Sequence, residues 1–141
     1  MGGRGGSSGL SVGVIGRLPD LEGSEKQVSW AKDIREEKLS HYSYDKFMSM
    51  EGYIGRNGDF YIENMENFLG VGDKKWKEFK EEYKRTHKRP DKNNEKAIER
   101  DKKDQIEMVV KYKKWLWNEF ERLAKTQKSA KWWIEVARYR Y

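Results

Sequence analysis

The chain contains no cysteine among its 141 residues, and only two prolines. The absence of cysteine excludes disulfides, thiolate catalysis and cysteine-based zinc sites. No apolar run approaches the roughly 18 residues that a membrane span needs, and the first residues lack the apolar core of a signal peptide. We therefore expect a cytoplasmic protein without a membrane partner.

Apolar residues are also scarce, since hydrophobic side chains make up 35% of the chain and charged ones 38%. This composition approaches that of disordered proteins, but an aromatic content of 13%, including six tryptophans, indicates a folded core. The glycine-rich residues 1–9 have almost nothing to bury, so we expect them to be disordered. The remainder, residues 10–141, is predicted to form a single compact domain.

The net charge of +6 is unevenly distributed. Residues 17–72 carry 7 basic and 11 acidic side chains, residues 73–104 carry 13 and 9, and residues 111–141 carry 9 and 3. An acidic front and a basic back favour a phosphate-bearing partner that docks on the C-terminal half. The alternative is that the lysine-rich helices serve only solubility.

Helix signals begin at Ser24. With Gln27 it forms a capping box, in which the serine hydroxyl accepts from the Gln27 amide and the Gln27 side chain reaches back. The helix is predicted to end at about residue 39 or 40. Trp30 and Ile34 share one face at helical spacing, so we expect both to anchor this helix to the core.

A long helix is predicted from about residue 94 to 125, where apolar side chains recur at intervals of three and four. Ser129 is the expected N-cap of a last helix. Asn57 and Gly58 lie between β-prone segments, which is the pattern of a type I′ hairpin over residues 53–62. The predicted fold is mainly α, with four to five helices and one small β-hairpin.

Residues 62–79 resemble a helix-turn-helix. Leu69-Gly70-Val71 falls where that motif places its turn, and Asp73 is a credible N-cap for the second helix. This interpretation predicts that the second helix presents three lysines to DNA: Lys74, Lys75 and Lys77. The alternative is an ordinary helical hairpin whose aromatic residues belong to the core: Trp76, Phe79 and Tyr83.

Catalytic residues do not assemble into a recognisable constellation. His41 and His87 are isolated, with no nucleophile context and no metal-spaced partners. We therefore expect no enzymatic activity, no cofactor and no metal site.

Two tryptophan-bearing segments near the ends of the chain carry a family resemblance. Residues 23–35 and 129–134 are similar to the GSxKQxxWAxxIR and SAKWWI motifs of small proteins from bacterial phages and mobile elements. The resemblance implies a mobile-element protein in a bacterial host cell. Trp30, Trp132 and Trp133 are expected to pack together and so close the fold, leaving one of the last two rings partly exposed.

The leading functional hypothesis is non-catalytic binding of nucleic acid or of a nucleoprotein complex. The contact surface would consist of the three lysines above and of a basic, aromatic C-terminal set: Lys111, Lys113, Lys114, Trp115, Lys128, Lys131, Trp132, Arg138 and Arg140. The alternative is a protein–protein inhibitor of a host defence enzyme, similar to an anti-CRISPR protein. Oligomeric state, a choice between DNA and RNA, and any sequence preference stay open.

Overall fold

A computed structural model describes residues 17–49 and 60–140, with only the backbone of residue 60. The helices are α1 Glu25–Ser40, α2 Tyr44–Met48, α3 Phe60–Leu69, α4 Lys74–Thr86, α5 Glu95–Thr126 and α6 Ala130–Glu135, followed by a 3-10 turn, Ala137–Tyr139. The mainly α-helical class is therefore confirmed. The disordered tail predicted at residues 1–9 lies outside the described residues.

The predicted β-hairpin is not seen. Its first arm, residues 53–56, and its turn lie outside the described residues, but residues 60–62 of the second arm are helical and begin α3. Ile62, Met65 and Phe68 recur at helical spacing and are fully buried. Burial outweighs the local β propensity here, because the α-helix places all three side chains on one face against the core.

Helix α1 begins as its sequence predicts. The Gln27 amide donates to Ser24 Oγ at 3.2 Å, and the Ser24 amide donates to Gln27 Oε1 at 3.1 Å. This reciprocal pair satisfies two backbone donors that a helix start otherwise leaves without partners.

Trp30 does not anchor α1 to the core, which corrects one expectation. The buried face of the helix runs through Ala31, Ile34 and Leu39, whereas Trp30 is 48% exposed. Successive residues are rotated by about 100° around a helix, so Trp30 lies at the edge of this face. Its ring is covered by the guanidinium of Arg138, 4.8 Å from the ring centroid.

The long helix α5 is the central element, against which α2, α3 and α4 pack. Its N-cap is Asn94, whose side chain accepts from the Ala97 amide at 3.1 Å. The buried stripe starts at Val109, so the first turns of the helix lie largely in solvent. The core is aromatic, with Phe120 packing edge-on against Phe68 at a centroid distance of 5.9 Å.

The two motif segments meet and join the ends of the described chain. The Glu22 amide donates to Lys128 O at 2.7 Å, and the Ala130 amide donates to Glu22 O at 2.9 Å. Gly23 has a φ of 153°, and a Cβ there would lie 3.1 Å from Ala130 Cβ. Glycine suits this position because other residues rarely adopt this φ and because a Cβ would crowd the side chains of Gln27 and Ala130.

The tryptophan cluster is smaller than the sequence predicted. Trp133 is fully buried and packs against Phe68 and, at a right angle and 5.0 Å, against Trp132. Trp132 is partly exposed, as expected for the second ring. Closure of the fold therefore relies on Trp133 and the backbone pairing, while Trp30 stays at the edge.

Candidate nucleic-acid interface

Both C-terminal arginines that the sequence assigned to a binding surface are partly buried and have contacts with the rest of the fold. Arg140 Nη1 donates to Phe68 O at 3.1 Å, near the end of α3, where carbonyls lack helical partners. The guanidinium of Arg138 lies between the rings of Trp30 and Tyr139, at 4.8 and 4.6 Å. These side chains hold the C-terminus in place, while their role as contact residues stays a prediction.

Lys113 does correct a prediction, because it is fully buried. Its Nζ donates to Ser49 O at 3.1 Å and lies 5.6 Å from the centre of the Phe47 ring. Lys113 is four residues from both Val109 and Trp117, in the middle of the buried stripe of α5. The helical spacing of Lys113 from these apolar residues is visible in the sequence, but we expected a lysine to face solvent.

Four other predicted cations are exposed: Lys111, Lys114, Lys128 and Lys131. None of them forms an ion pair with the part of the chain that the structure describes. Trp115, beside Lys111 and Lys114, is half-buried, and its ring is stacked on Tyr112 at 6.1 Å. Lys128 shares a surface cavity with two other cations, Arg17 and Lys125, and with two carboxylates, Asp20 and Glu22.

The outer face of α4 is close to neutral. Lys74 and Lys77 lie beside Glu78, Glu81 and Glu82 on this face. Lys77 pairs with Asp73 at 3.7 Å, and Lys75 pairs with Glu78 at 3.4 Å while lying 5.5 Å from the Trp115 ring. These carboxylates would repel phosphates, so this face is a poor candidate for a recognition surface.

Helices α3 and α4 each pack extensively on α5. Trp76 and Phe79 contact the ring of Tyr112, at 5.1 and 5.5 Å. The buried Glu66 of α3 accepts a hydrogen bond from the Tyr112 hydroxyl, at a position where a helix-turn-helix usually has a small residue. This packing favours the helical-hairpin interpretation of residues 62–79.

A basic cleft lies between α4, the segment 87–94 and the first half of α5. We refer to it as the α4–α5 cleft; its volume is about 860 Å³. Five cationic side chains line it: Lys80, Lys84, Lys88, Arg89 and Lys92. Asp101 is the carboxylate among its described lining residues. Apolar groups form the rest of the walls: Trp76, Pro90, Ile98, Met108 and Val109.

Polar contacts organise one wall of the cleft. The Tyr83 hydroxyl donates to Asp101 Oδ1 at 2.5 Å, and Gln105 Nε2 donates to Asp101 Oδ2 at 2.8 Å. Burial raises the pKa of Tyr83, and the hydrogen bond to Asp101 raises it further. The rings of Tyr83 and His87 are stacked, with centroids 3.9 Å apart and planes 7° from parallel.

Sequence reasoning missed the cations of this cleft. They belong to residues 73–104, whose excess of basic side chains was visible, but the acidic residues interleaved with them hid the local pattern. Folding brings five of these cations into the cleft, whereas Glu78, Glu81 and Glu82 lie on the outer face of α4 among other cations.

Comparisons with known proteins give no direct guide, since no protein-family model, curated protein or solved structure matches the chain. Within residues 17–49 and 60–140 there is no group of three or more metal-ligating side chains. Nor does any helix in this part of the chain have the length and apolar character needed to cross a membrane. The case for function therefore depends on the geometry of the exposed cations.

Proposed function

We propose that this chain is a non-catalytic, nucleic-acid-binding protein of a phage or mobile element, and that the α4–α5 cleft is its main contact surface. The observation that carries this proposal is the clustering of five cationic side chains in the cleft, of which Lys84 also pairs with Glu81 at 4.0 Å. A partner rich in phosphates fits such a surface, because each neutralised phosphate releases condensed counterions. The exposed Lys111, Lys114, Lys128 and Lys131 contribute additional attraction to the same partner.

The arrangement of the cleft also supports a polymer over an isolated ion. Lys80 and Lys84 are four residues apart on α4, about 6 Å along the helix axis, and Lys88 follows shortly after the helix ends at Thr86. Arg89 and Lys92 extend the basic lining beyond the end of the helix. A row of charges matches the repeating phosphates of a nucleic-acid backbone.

The test is a double charge reversal, Lys80→Glu with Lys88→Glu, followed by fluorescence anisotropy with a labelled oligonucleotide. The wild-type protein should bind at about 50 mM salt and lose most of its affinity by about 200 mM. The double variant should bind at least about tenfold more weakly at low salt. Its salt dependence should fall by about 1.5 in slope, because two phosphate contacts are lost.

The matched control is Lys74→Glu with Lys77→Glu, the same charge change on the outer face of the same helix. This variant should keep a clearly larger share of the wild-type affinity. Equal losses in the two variants would remove the cleft as the contact surface. A wild-type protein that binds no oligonucleotide at about 50 mM salt would contradict the function itself and favour an inhibitor of a host defence enzyme.

A further inference from the structure

The geometry points to a more specific ligand for the α4–α5 cleft: an unpaired base of single-stranded nucleic acid that stacks on His87. This inference rests on the proposed function and adds the form of nucleic acid that is bound. Its basis is the coincidence, in one cleft, of a stacked aromatic pair, a polar edge and a cationic rim.

The aromatic pair provides the stacking surface. Tyr83 and His87 lie parallel at 3.9 Å, and Tyr83 is fixed by its hydrogen bonds to Asp101, at 2.5 Å to the carboxylate and 3.0 Å to the backbone carbonyl. The His87 ring lies with Nδ1 at 3.1 Å from the Tyr83 carbonyl and with Nε2 at 3.4 Å from Asp104, while the residue stays exposed. A base placed on His87 would continue this stack, and base–aromatic stacking tolerates any base.

The rest of the cleft suits a nucleotide. Gln105 and Asp101 together offer an amide and a carboxylate, the groups that hydrogen-bond to the edges of bases. Ile98 and Pro90 supply apolar walls for a ring. The cations of the rim are placed for the flanking phosphates, since Lys84, Lys88 and Arg89 line the same opening.

A preference for single strands follows from this arrangement. The bases of a duplex are paired and stacked on one another, so they cannot enter a cleft between two helices without being unpaired first. An acidic peptide would satisfy the cations but would leave the Tyr83–His87 stack unused. The aromatic pair therefore favours nucleic acid over an acidic protein partner.

The experiment compares four ligands by anisotropy: a labelled single strand of about 12 nucleotides, the matching duplex, an abasic strand with the same number of phosphates, and a polyglutamate peptide. The single strand should bind about tenfold more tightly than the abasic strand, and more tightly than the duplex. Polyglutamate should bind no better than the abasic strand.

The matched variants are His87→Ala and His41→Ala, which remove the two histidines of the chain in turn. His87→Ala should weaken single-strand binding about tenfold and leave abasic-strand binding unchanged, because only the stacking surface is lost. His41→Ala, at the end of α1 and away from the cleft, should change neither. The comparison of base-containing and abasic strands needs no variant. It therefore tests whether the bases contribute to binding even if His87→Ala fails to fold.

The outcomes separate the two proposals. Equal, salt-dependent binding of the single strand, the abasic strand and the duplex would overturn the base-stacking inference and leave nucleic-acid binding intact. Tighter binding of polyglutamate than of any strand would overturn the inference in favour of an acidic protein partner. Failure of every nucleic-acid ligand to bind at about 50 mM salt would overturn both proposals.

Discussion

Two regions of the molecule use lysine and arginine in opposite ways. One is the closure, where the ends of the described chain meet, and the other is the region around the α4–α5 cleft. At the closure, Arg35 donates to Pro19 O at 2.8 Å, Lys38 donates to Arg140 O at 2.8 Å, and Arg140 donates to Phe68 O. Around the cleft, no residue of the described helix α4 is buried, and basic side chains line an opening to solvent. Cations stabilise the fold in the first region, whereas in the second they line an open cleft or form exposed ion pairs with neighbouring carboxylates.

The difference shows that a count of basic residues does not locate a binding surface. Residues 111–141 have the larger excess of positive charge, yet several of these side chains point at backbone carbonyls or aromatic rings. Residues 73–104 have many carboxylates, yet the fold brings five of their cations into one cleft. What matters is whether tertiary packing supplies an internal partner for each cation.

The largest effect that should separate the two regions is on stability. Trp133→Ala removes a fully buried ring whose Nε1 donates to Gln127 O at 3.2 Å. It should lower the free energy of unfolding by about 3–5 kcal/mol, measured by chemical denaturation, because a cavity replaces the ring. Trp30→Ala is the control in the other motif, and it should cost only about 1 kcal/mol, since that ring is half-exposed beneath Arg138. Similar losses in both variants would show that Trp30 belongs to the core after all.

An intermediate effect should distinguish two arginines. Arg35→Ala deletes a buried guanidinium, whose pKa burial lowers, and its hydrogen bond to Pro19 O. The expected loss in unfolding free energy is about 1.5–3 kcal/mol, as for hydrogen bonds of charged groups. Arg89→Ala, in the cleft, should change stability by less than about 0.5 kcal/mol. A substantial loss of stability in Arg89→Ala would contradict the assignment of this arginine to a partner.

The smallest effect concerns the outer face of α4. Glu81→Gln with Glu82→Gln should leave stability within about 0.5 kcal/mol, since the ion pairs there are exposed. Affinity for an oligonucleotide should rise by less than about tenfold, because salt screens charges that lie outside the contact surface. A larger gain in the anisotropy assay would identify the outer face as the recognition surface, as the helix-turn-helix interpretation requires.

Local sequence patterns predicted a helix correctly where one short-range signal, such as an N-cap, is sufficient to define its start. The predicted capping box at Ser24 and cap at Ser129 are present, because a cap needs only residues within the same turn, whereas Asp73 precedes α4 without a side-chain capping bond. The hairpin prediction was wrong over residues 60–62, since a turn signal said nothing about the apolar face that α3 buries on α5. The contact residues were predicted least well, because Lys113, Arg138 and Arg140 have partners distant in sequence or on the buried face.

The sequence by itself determined that this protein is mainly helical, where its principal helices begin, and that it carries an excess of positive charge. These properties follow from short-range periodicity, capping and composition. Only the tertiary structure decided which cations are free to meet a partner. Arg140 and Phe68 are 72 positions apart, so the loss of that guanidinium from the surface appears only when the chain is folded. The same folding step brings Lys80, Lys88 and Arg89, which are spread over ten residues of sequence, into one cleft.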